Sequence, residues 1–187
     1  MKINLPNMLI VLRIVLIPVF LHFYFSVEPG ESLYRLLALV VFLVASITDF
    51  LDGLLARRWN TVSNFGKLMD PLADKMLVCS ALIALAARQE IAAGVAIIII
   101  CREFWVTALR QLALESGKRV IPASMWGKIK TFLQVSMIVA LIAGMGTNGL
   151  LGVLGDNIAI ILIFLTLIAT ILSAVEYTKV HKDVFKA

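Results

Sequence analysis

Residues 49–74 read DFLDGLLARRWNTVSNFGKLMDPLAD, and this stretch decides how the rest of the chain is interpreted. It holds four aspartates, three basic residues and two glycines in a chain that is otherwise strongly apolar. In an α-helix, residues three or four apart share a face. Asp49 and Asp52 therefore share one helical face, and Asp70 and Asp74 share another. The spacing predicts an antiparallel hairpin of two helices that brings the four carboxylates together.

The rest of the chain has the composition of a membrane protein. Of its 187 residues, 61% are hydrophobic and 16% are charged, whereas a soluble domain is about half apolar and a quarter charged. Apolar segments of about 17–25 residues can cross a bilayer as helices. The composition therefore predicts one all-α membrane domain over residues 1–187, with six transmembrane helices. The predicted segments are 8–27, 33–56, 69–87, 91–115, 129–148 and 155–178.

The ends of these segments differ in charge. Most lysines and arginines fall at the two termini and in the second and fourth connections, whereas the other connections mainly carry glutamate and aspartate. Cytoplasmic loops of membrane proteins are enriched in lysine and arginine. We therefore expect both termini and the aspartate hairpin on the cytoplasmic side. The net charge of +5 would face membrane lipids or an anionic substrate, and no nucleic-acid partner is expected. A signal peptide is the alternative for the first segment, but Arg13 interrupts its apolar run.

Four neighbouring carboxylates repel one another, so the predicted hairpin requires cations. Hard divalent cations prefer oxygen ligands, and pairs of such ions recur at sites of phosphoryl transfer. Gly53, Ala56 and Gly66 leave room for a bulky ligand beside the carboxylates, and Arg57 can pair with a phosphate. Residues 60–66, with their Asn, Ser and Gly, predict the connection between the helices.

Other interpretations of the aspartates stay open at this point. Asp70 precedes Pro71 and is also typical of a helix N-cap. Carboxylates inside a membrane also line ion or proton pathways, which makes a divalent-cation transporter the main alternative to an enzyme. Such a pathway would distribute its acids across the bilayer, whereas these cluster at one side. A purely structural membrane protein has no need for such a cluster.

The motif in this stretch resembles the signature of the CDP-alcohol phosphotransferases at every position. The pattern is Asp49-x2-Asp52-Gly53-x2-Ala56-Arg57-x8-Gly66-x3-Asp70-x3-Asp74. The stretches "NLPNMLIVLR" at 4–13, "REFWVTALRQLALESGKRV" at 102–120 and "WGKIKT" at 126–131 are similar to the bacterial phosphatidylglycerophosphate synthases in particular. One departure is Ile10, where the family often has threonine. The resemblance implies a six-helix enzyme of the bacterial inner membrane, commonly a homodimer.

The resemblance also implies a reaction and roles for individual residues. A hydroxyl of sn-glycerol 3-phosphate would displace CMP from CDP-diacylglycerol, forming phosphatidylglycerophosphate. Asp49, Asp52 and Asp70 would hold a pair of Mg²⁺ or Mn²⁺ ions, and Asp74 would take the proton from the hydroxyl while also contacting a metal. The expected contacts with CDP-diacylglycerol are Asn7, Gly53, Ala56, Arg57, Ser63 and Gly66. Other acceptors, such as inositol phosphate, serine or a second lipid, stay possible because the motif handles only the CDP end.

Glycerol 3-phosphate is a dianion, so its pocket needs positive charge. Two arginines lie eight residues apart near one face of the fourth segment. Two lysines lie two residues apart at the start of the fifth segment, so at most one of them points directly into the same cavity. The candidates, in order of preference, are Arg110, Arg102, Lys128 and Lys130. The alternative for Arg102 is a local ion pair with Glu103 or Glu176.

Overall fold

The computed structural model describes the backbone of residues 5–27, 32–59, 64–115, 125–144 and 150–180. The side chains it describes are those of residues 8–27, 33–48, 72–73, 75–113, 125–143 and 157–180. Within these ranges the chain forms six helices, and the prediction of an all-α protein is confirmed. They are α1 (Leu5–Phe25), α2 (Ser32–Trp59), α3 (Asn64–Ala87), α4 (Ala93–Glu115), α5 (Met125–Gly144) and α6 (Leu150–Val180).

Three helices are long and apolar enough to cross a membrane within the described residues: Met8–Phe25, Met125–Ala143 and Asn157–Val180. Two shorter apolar stretches lie within the described side chains, Leu33–Thr48 of α2 and Lys75–Ala87 of α3. The aspartate stretch lies between these two in the sequence, and both helices extend into it. The charged stretch therefore occupies the ends of two helices that meet at their connection.

The outer surface of the bundle is apolar. Leu33, Phe132 and Phe164 are 63%, 72% and 62% exposed. A soluble monomer rarely exposes large contiguous apolar patches, because water penalises them. A surface of this kind is suited to lipid.

The helices pack in two groups that share one core. The first helix, α1, packs against α2 and α3, whereas α6 packs against α5 and α4. Contacts of α2 with α5 and of α3 with α4 join the groups. In the core, the ring of Phe20 lies 5.8 Å from that of Phe42 and 5.6 Å from that of Tyr24. Leu82 of α3 and Ile138 of α5 belong to the same buried cluster.

The start of α3 corrects two predictions from the sequence. Helix α3 begins at Asn64, so the connection predicted over 60–66 is too long and Gly66 is helical. Asparagine is also favoured where helices begin, so its turn signal marks the start of α3. Asp70 is the seventh residue of α3, and its interpretation as an N-cap is therefore wrong, because a cap must precede the first turn. Pro71 consequently lies inside the helix, where it can donate no backbone hydrogen bond.

The end of α3 is closed by a tight turn. Gln89 has a φ of 61°, in the left-handed region that non-glycine residues rarely adopt. Its amide donates to the carbonyl of Ala86 at 3.0 Å, and the amide of Glu90 donates to the carbonyl of Leu85 at 2.9 Å. These two bonds form a Schellman motif, which satisfies carbonyls that the helix end would leave unpaired. The turn positions the polar residues that follow α3.

Arg88, in this turn, ties α3 to the end of α1. Its guanidinium donates to the carbonyl oxygens of Tyr24, at 2.7 Å, and Val27, at 3.0 Å. It also lies over the Tyr24 ring, with Cζ 5.5 Å from the centroid. A cation placed here satisfies one carbonyl in the last turn of α1 and one just beyond it, and complements the helix dipole. Arg88 Nε lies 3.9 Å from the carboxylate of Glu90. Burial raises the pKa of the Glu90 carboxyl, and the nearby cations Arg88 and Arg35 act in the opposite direction.

Arg88→Ala is expected to lower stability by about 2–3 kcal/mol, because two hydrogen bonds from a charged donor are lost. A carboxyl whose pKa is raised by folding favours the folded state at low pH and disfavours it as the pH rises through that pKa. Without Arg88 the ionised Glu90 loses a cation 3.9 Å away. The loss of stability caused by Arg88→Ala should therefore become larger as the pH rises and Glu90 ionises. Thermal unfolding in detergent across this pH range measures both effects.

The control is Arg88→Ala combined with Glu90→Gln. At low pH this double variant should be destabilised as much as Arg88→Ala alone. It should not lose further stability as the pH rises, since glutamine does not titrate. A single variant as stable as the unmodified protein at every pH would contradict the assignment of Arg88 as the cap of α1.

Candidate active site

The four aspartates lie at similar heights in two neighbouring helices. Asp49 and Asp52 precede the end of α2 by ten and seven residues, and Asp70 and Asp74 follow the start of α3 by six and ten. At 1.5 Å per residue, all lie about 9–15 Å from the connected ends of the helices. Helices α2 and α3 contact each other. The backbone therefore places the four aspartate positions at one level of two contacting helices. Their side chains lie outside the described ones, so their role as metal ligands stays a prediction.

Five of the six predicted CDP-diacylglycerol contacts lie in the described backbone of α1, α2 and α3. The described backbone places Gly53, Ala56 and Arg57 in α2, Gly66 in the first turn of α3 and Asn7 in the first turn of α1. Ser63 lies outside the described residues. Since α1 packs against both α2 and α3, these positions belong to three mutually contacting helices. Within the described side chains, which exclude all of these and the four aspartates, no group of three or more His, Cys, Asp or Glu is placed to hold a metal ion.

A second polar cluster joins α4, α5 and α6, and we call it the basic cluster. Its members are Arg102, Glu103, Arg110, Lys130, Ser173 and Tyr177. Arg102 donates from Nη1 to Oε1 of Glu103 at 3.1 Å and from Nη2 to the hydroxyl of Ser173. Lys130 donates to the same oxygen of Glu103. The local pair of Arg102 with Glu103, left open by the sequence, is therefore present, and the same carboxylate also holds Lys130.

Arg110 joins the basic cluster through α6. Its Nη2 donates to the hydroxyl of Tyr177 at 2.6 Å. The Tyr177 ring lies 5.1 Å from Cζ of Arg110 and 5.9 Å from Cζ of Arg102, so one aromatic ring contacts two guanidinium groups. The Nε atoms of both arginines are buried and have no hydrogen-bond partner among the described residues. Each arginine thus keeps a donor that a ligand can use.

The basic cluster is positively charged and borders the aspartate hairpin. Its three cations and one carboxylate leave a formal charge of +2. Two of the cations are buried, where electrostatic interactions are stronger than in water. Helix α4, which carries Arg102, Glu103 and Arg110, contacts α3, the helix of Asp74. Lys128, in contrast, is exposed at the start of α5 and has no described contact with the cluster. The geometry therefore brings three of the four predicted phosphate contacts together beside the helix of Asp74.

Sequence reasoning missed the two α6 members, Ser173 and Tyr177. A signal for them was present. Thr166, Thr170, Ser173 and Tyr177 are spaced by four, three and four residues, so they share one face of α6, and all four are buried. A polar stripe on an otherwise apolar helix marks the face that turns away from lipid. Which helix it meets follows only from the tertiary packing of α6 against α4 and α5.

The family model that describes the CDP-alcohol phosphatidyltransferases matches residues 3–175. The match covers the aspartate hairpin, all of α4 and α5 and most of α6. This chain belongs to the CDP-alcohol phosphatidyltransferase family. The family resemblance of the 49–74 motif is therefore confirmed, and with it the prediction that the chain is a transferase.

Relatives in this family span nearly the whole chain. The chain is 38% identical over 183 residues to a Rickettsia felis protein named CDP-diacylglycerol–glycerol-3-phosphate 3-phosphatidyltransferase, covering 97% of each chain. It is 43% identical over 148 residues to a Bacillus subtilis protein of the same name, covering 74% of this chain and 76% of that one. A Mycobacterium tuberculosis protein named as a probable phosphatidylglycerophosphate synthase is 39% identical over 174 residues, covering 93% of this chain and 79% of its own.

Proposed function

We propose that this chain transfers the phosphatidyl group of CDP-diacylglycerol to sn-glycerol 3-phosphate, forming phosphatidylglycerophosphate and CMP. The observation that carries the proposal is the basic cluster, with a formal charge of +2, on helices that contact α3, the helix that holds Asp74. A cluster of this charge suits a phosphorylated acceptor. The names of the Rickettsia felis and Bacillus subtilis relatives supply the identity of both substrates.

The aspartate hairpin takes the CDP end of the donor. Its oxygen-only donor set fits hard divalent cations, Mg²⁺ or Mn²⁺, which Asp49, Asp52 and Asp70 would hold together with Asp74. When bound, these cations would offset the charge of the diphosphate and of the departing CMP. Arg57, two residues before the end of α2, would add a cation that can pair with the same phosphates.

Asp74 acts as the general base in the proposed reaction. Its carboxylate accepts the proton of the acceptor hydroxyl, which makes the oxygen a stronger nucleophile. That oxygen forms a bond to the phosphorus that bears the diacylglycerol. The bond from this phosphorus to the bridging oxygen breaks, and CMP leaves with the electron pair. No covalent enzyme intermediate is required.

The basic cluster holds the phosphate of the acceptor. A phosphate monoester has a second pKa of about 6 and is mostly a dianion at neutral pH. Arg110, Arg102 and Lys130 supply the opposite charge. The buried Nε atoms of the two arginines, which have no hydrogen-bond partner among the described residues, supply donors for the phosphate. Lys128 is the least supported of the four predicted contacts because it is exposed. The acceptor hydroxyl would then lie toward α3, which contacts α4.

The chain is proposed to be a single domain over residues 1–187 that crosses a bacterial inner membrane six times, with both termini and the active site cytoplasmic. The apolar outer surface and the uneven distribution of lysine and arginine support this arrangement. Membrane lipids surround the bundle, and a homodimer is the proposed assembly, as the family resemblance implies.

A different acceptor alcohol is the second candidate function. Inositol phosphate also carries a phosphate, so the basic cluster by itself accommodates it, whereas serine would leave the cluster without an anionic partner. The printed names of the relatives favour glycerol 3-phosphate. Nothing in the described geometry favours a cation transporter.

The test compares acceptors in one assay. The purified protein in detergent would be mixed with CDP-diacylglycerol and Mg²⁺ or Mn²⁺, and CMP release would be followed with glycerol 3-phosphate, inositol phosphate, serine or no acceptor. We expect metal-dependent release with glycerol 3-phosphate alone. Release only with another acceptor would overturn the proposed substrate, and no release from folded protein would overturn the enzymatic proposal.

A further inference from the structure

The Tyr177 side chain is buried where two arginines of α4 meet α6. Only 3% of it is exposed, and its hydroxyl accepts a hydrogen bond from Arg110 at 2.6 Å. Its ring contacts the guanidinium groups of Arg110 and Arg102 at 5.1 and 5.9 Å from their Cζ atoms. Arg102 is also anchored to Ser173, which lies one turn before Tyr177 on the same helix.

Two guanidinium groups that share one ring repel each other, and burial strengthens the repulsion. The electron-rich face of a tyrosine ring attracts cations, and its hydroxyl fixes the direction of the Arg110 fork. Glu103 compensates Arg102 and Lys130, but the described contacts of Arg110 are both with Tyr177. Among the described side chains, Tyr177 is therefore the one that holds Arg110 in place.

We propose that Tyr177 is a positioning residue for the acceptor phosphate, which it serves by orienting Arg110 toward the anion. This inference rests on the proposed function, since it assigns the phosphate of the acceptor to the basic cluster. Tyr177 acts through its hydroxyl and ring on Arg110 and does not itself contact the reacting atoms. Its effect should therefore concern acceptor binding and leave the chemical step unchanged.

The test is Tyr177→Phe, which keeps the ring and removes the hydroxyl. The phosphate is remote from the reacting hydroxyl, so weakening its binding affects ground state and transition state alike. We expect KM for glycerol 3-phosphate to rise about tenfold, with kcat and KM for CDP-diacylglycerol within about twofold of the unmodified protein. Tyr34→Phe is the matched control, because Tyr34 lies near the start of α2 and packs on Phe23, with ring centroids 6.3 Å apart. It should change none of these constants.

A double-mutant cycle separates positioning from a general structural effect. In an Arg110→Met background, Tyr177→Phe should raise KM for glycerol 3-phosphate by less than about twofold, since the group it orients is absent. An unchanged KM in Tyr177→Phe, a loss confined to kcat, or an equal rise in both backgrounds would each overturn the inference. If the unmodified protein shows no saturation with glycerol 3-phosphate, the proposed function itself has failed, and the two failures are thus distinguishable.

Discussion

Asp74→Asn is expected to lower kcat for CMP release by about 10³-fold, with little change in folding. The substitution keeps the size of the side chain and removes its ability to accept a proton at neutral pH. A positioned general base contributes about 10²–10⁴-fold to the rate, and loss of one carboxylate from a metal-binding set lowers the rate further. The initial rate with saturating substrates, together with thermal unfolding in detergent, measures both the activity and the integrity of the fold.

Asp156→Asn is the matched control for this substitution. Asp156 lies near the start of α6, about 30 Å along the helix from Tyr177 and therefore far from the basic cluster. The control should retain full activity. A folded Asp74→Asn protein with near-normal kcat would contradict the role of Asp74 as the base and would require another proton acceptor.

Arg110→Met is expected to raise KM for glycerol 3-phosphate by about 30–100-fold. A hydrogen bond to a charged group contributes about 1.5–3 kcal/mol, and each 1.4 kcal/mol corresponds to a factor of ten. Arg110→Lys should recover part of the loss, because it restores the charge and not the planar fork. KM for CDP-diacylglycerol should stay unchanged, since the proposed function assigns that substrate to the aspartate hairpin. Steady-state kinetics with each substrate varied in turn tests this separation.

Lys179→Met serves as the control for general surface charge. Lys179 lies in the last turn of α6, close to Tyr177 in sequence, and its side chain is exposed. It should alter KM for glycerol 3-phosphate by less than about twofold, because exposed charges are screened by salt. If Arg110→Met changed only KM for CDP-diacylglycerol, the basic cluster would belong to the donor and the assignment of the two substrate sites would be wrong.

The helices could be predicted from the sequence because hydropathy and helix length are local properties. The first predicted segment, 8–27, and the fourth, 91–115, lie within three residues of α1 and α4 at each end. The fifth, 129–148, begins four residues after the start of α5 at Met125, and its last four residues lie outside the described ones. Its first turn carries Trp126 and Lys128, residue types that are common where a helix meets the membrane surface and that a search for apolar runs leaves out. Hydropathy alone does not report such a turn.

The candidate site could be predicted in part, for a similar reason. The aspartate positions follow from spacing along two consecutive helices, so the sequence was enough to place them at one end of a hairpin. The basic cluster depends on which helices meet. The pairing of Arg110 with Tyr177 joins residues 67 apart in sequence, and only the packing of α6 against α4 brings them together. The pair of Arg102 with Glu103, by contrast, could be predicted because the two residues are adjacent in sequence.

The central claim is that the phosphatidyl group ends on glycerol 3-phosphate. The most direct measurement is mass spectrometry of the lipid formed from CDP-diacylglycerol and ¹³C-labelled glycerol 3-phosphate by the purified protein with Mg²⁺ or Mn²⁺. We expect a labelled phosphatidylglycerophosphate, formed in an amount equal to the CMP released. CDP-diacylglycerol consumed without incorporation of the label into lipid, for example to give unlabelled phosphatidic acid and CMP, would contradict it.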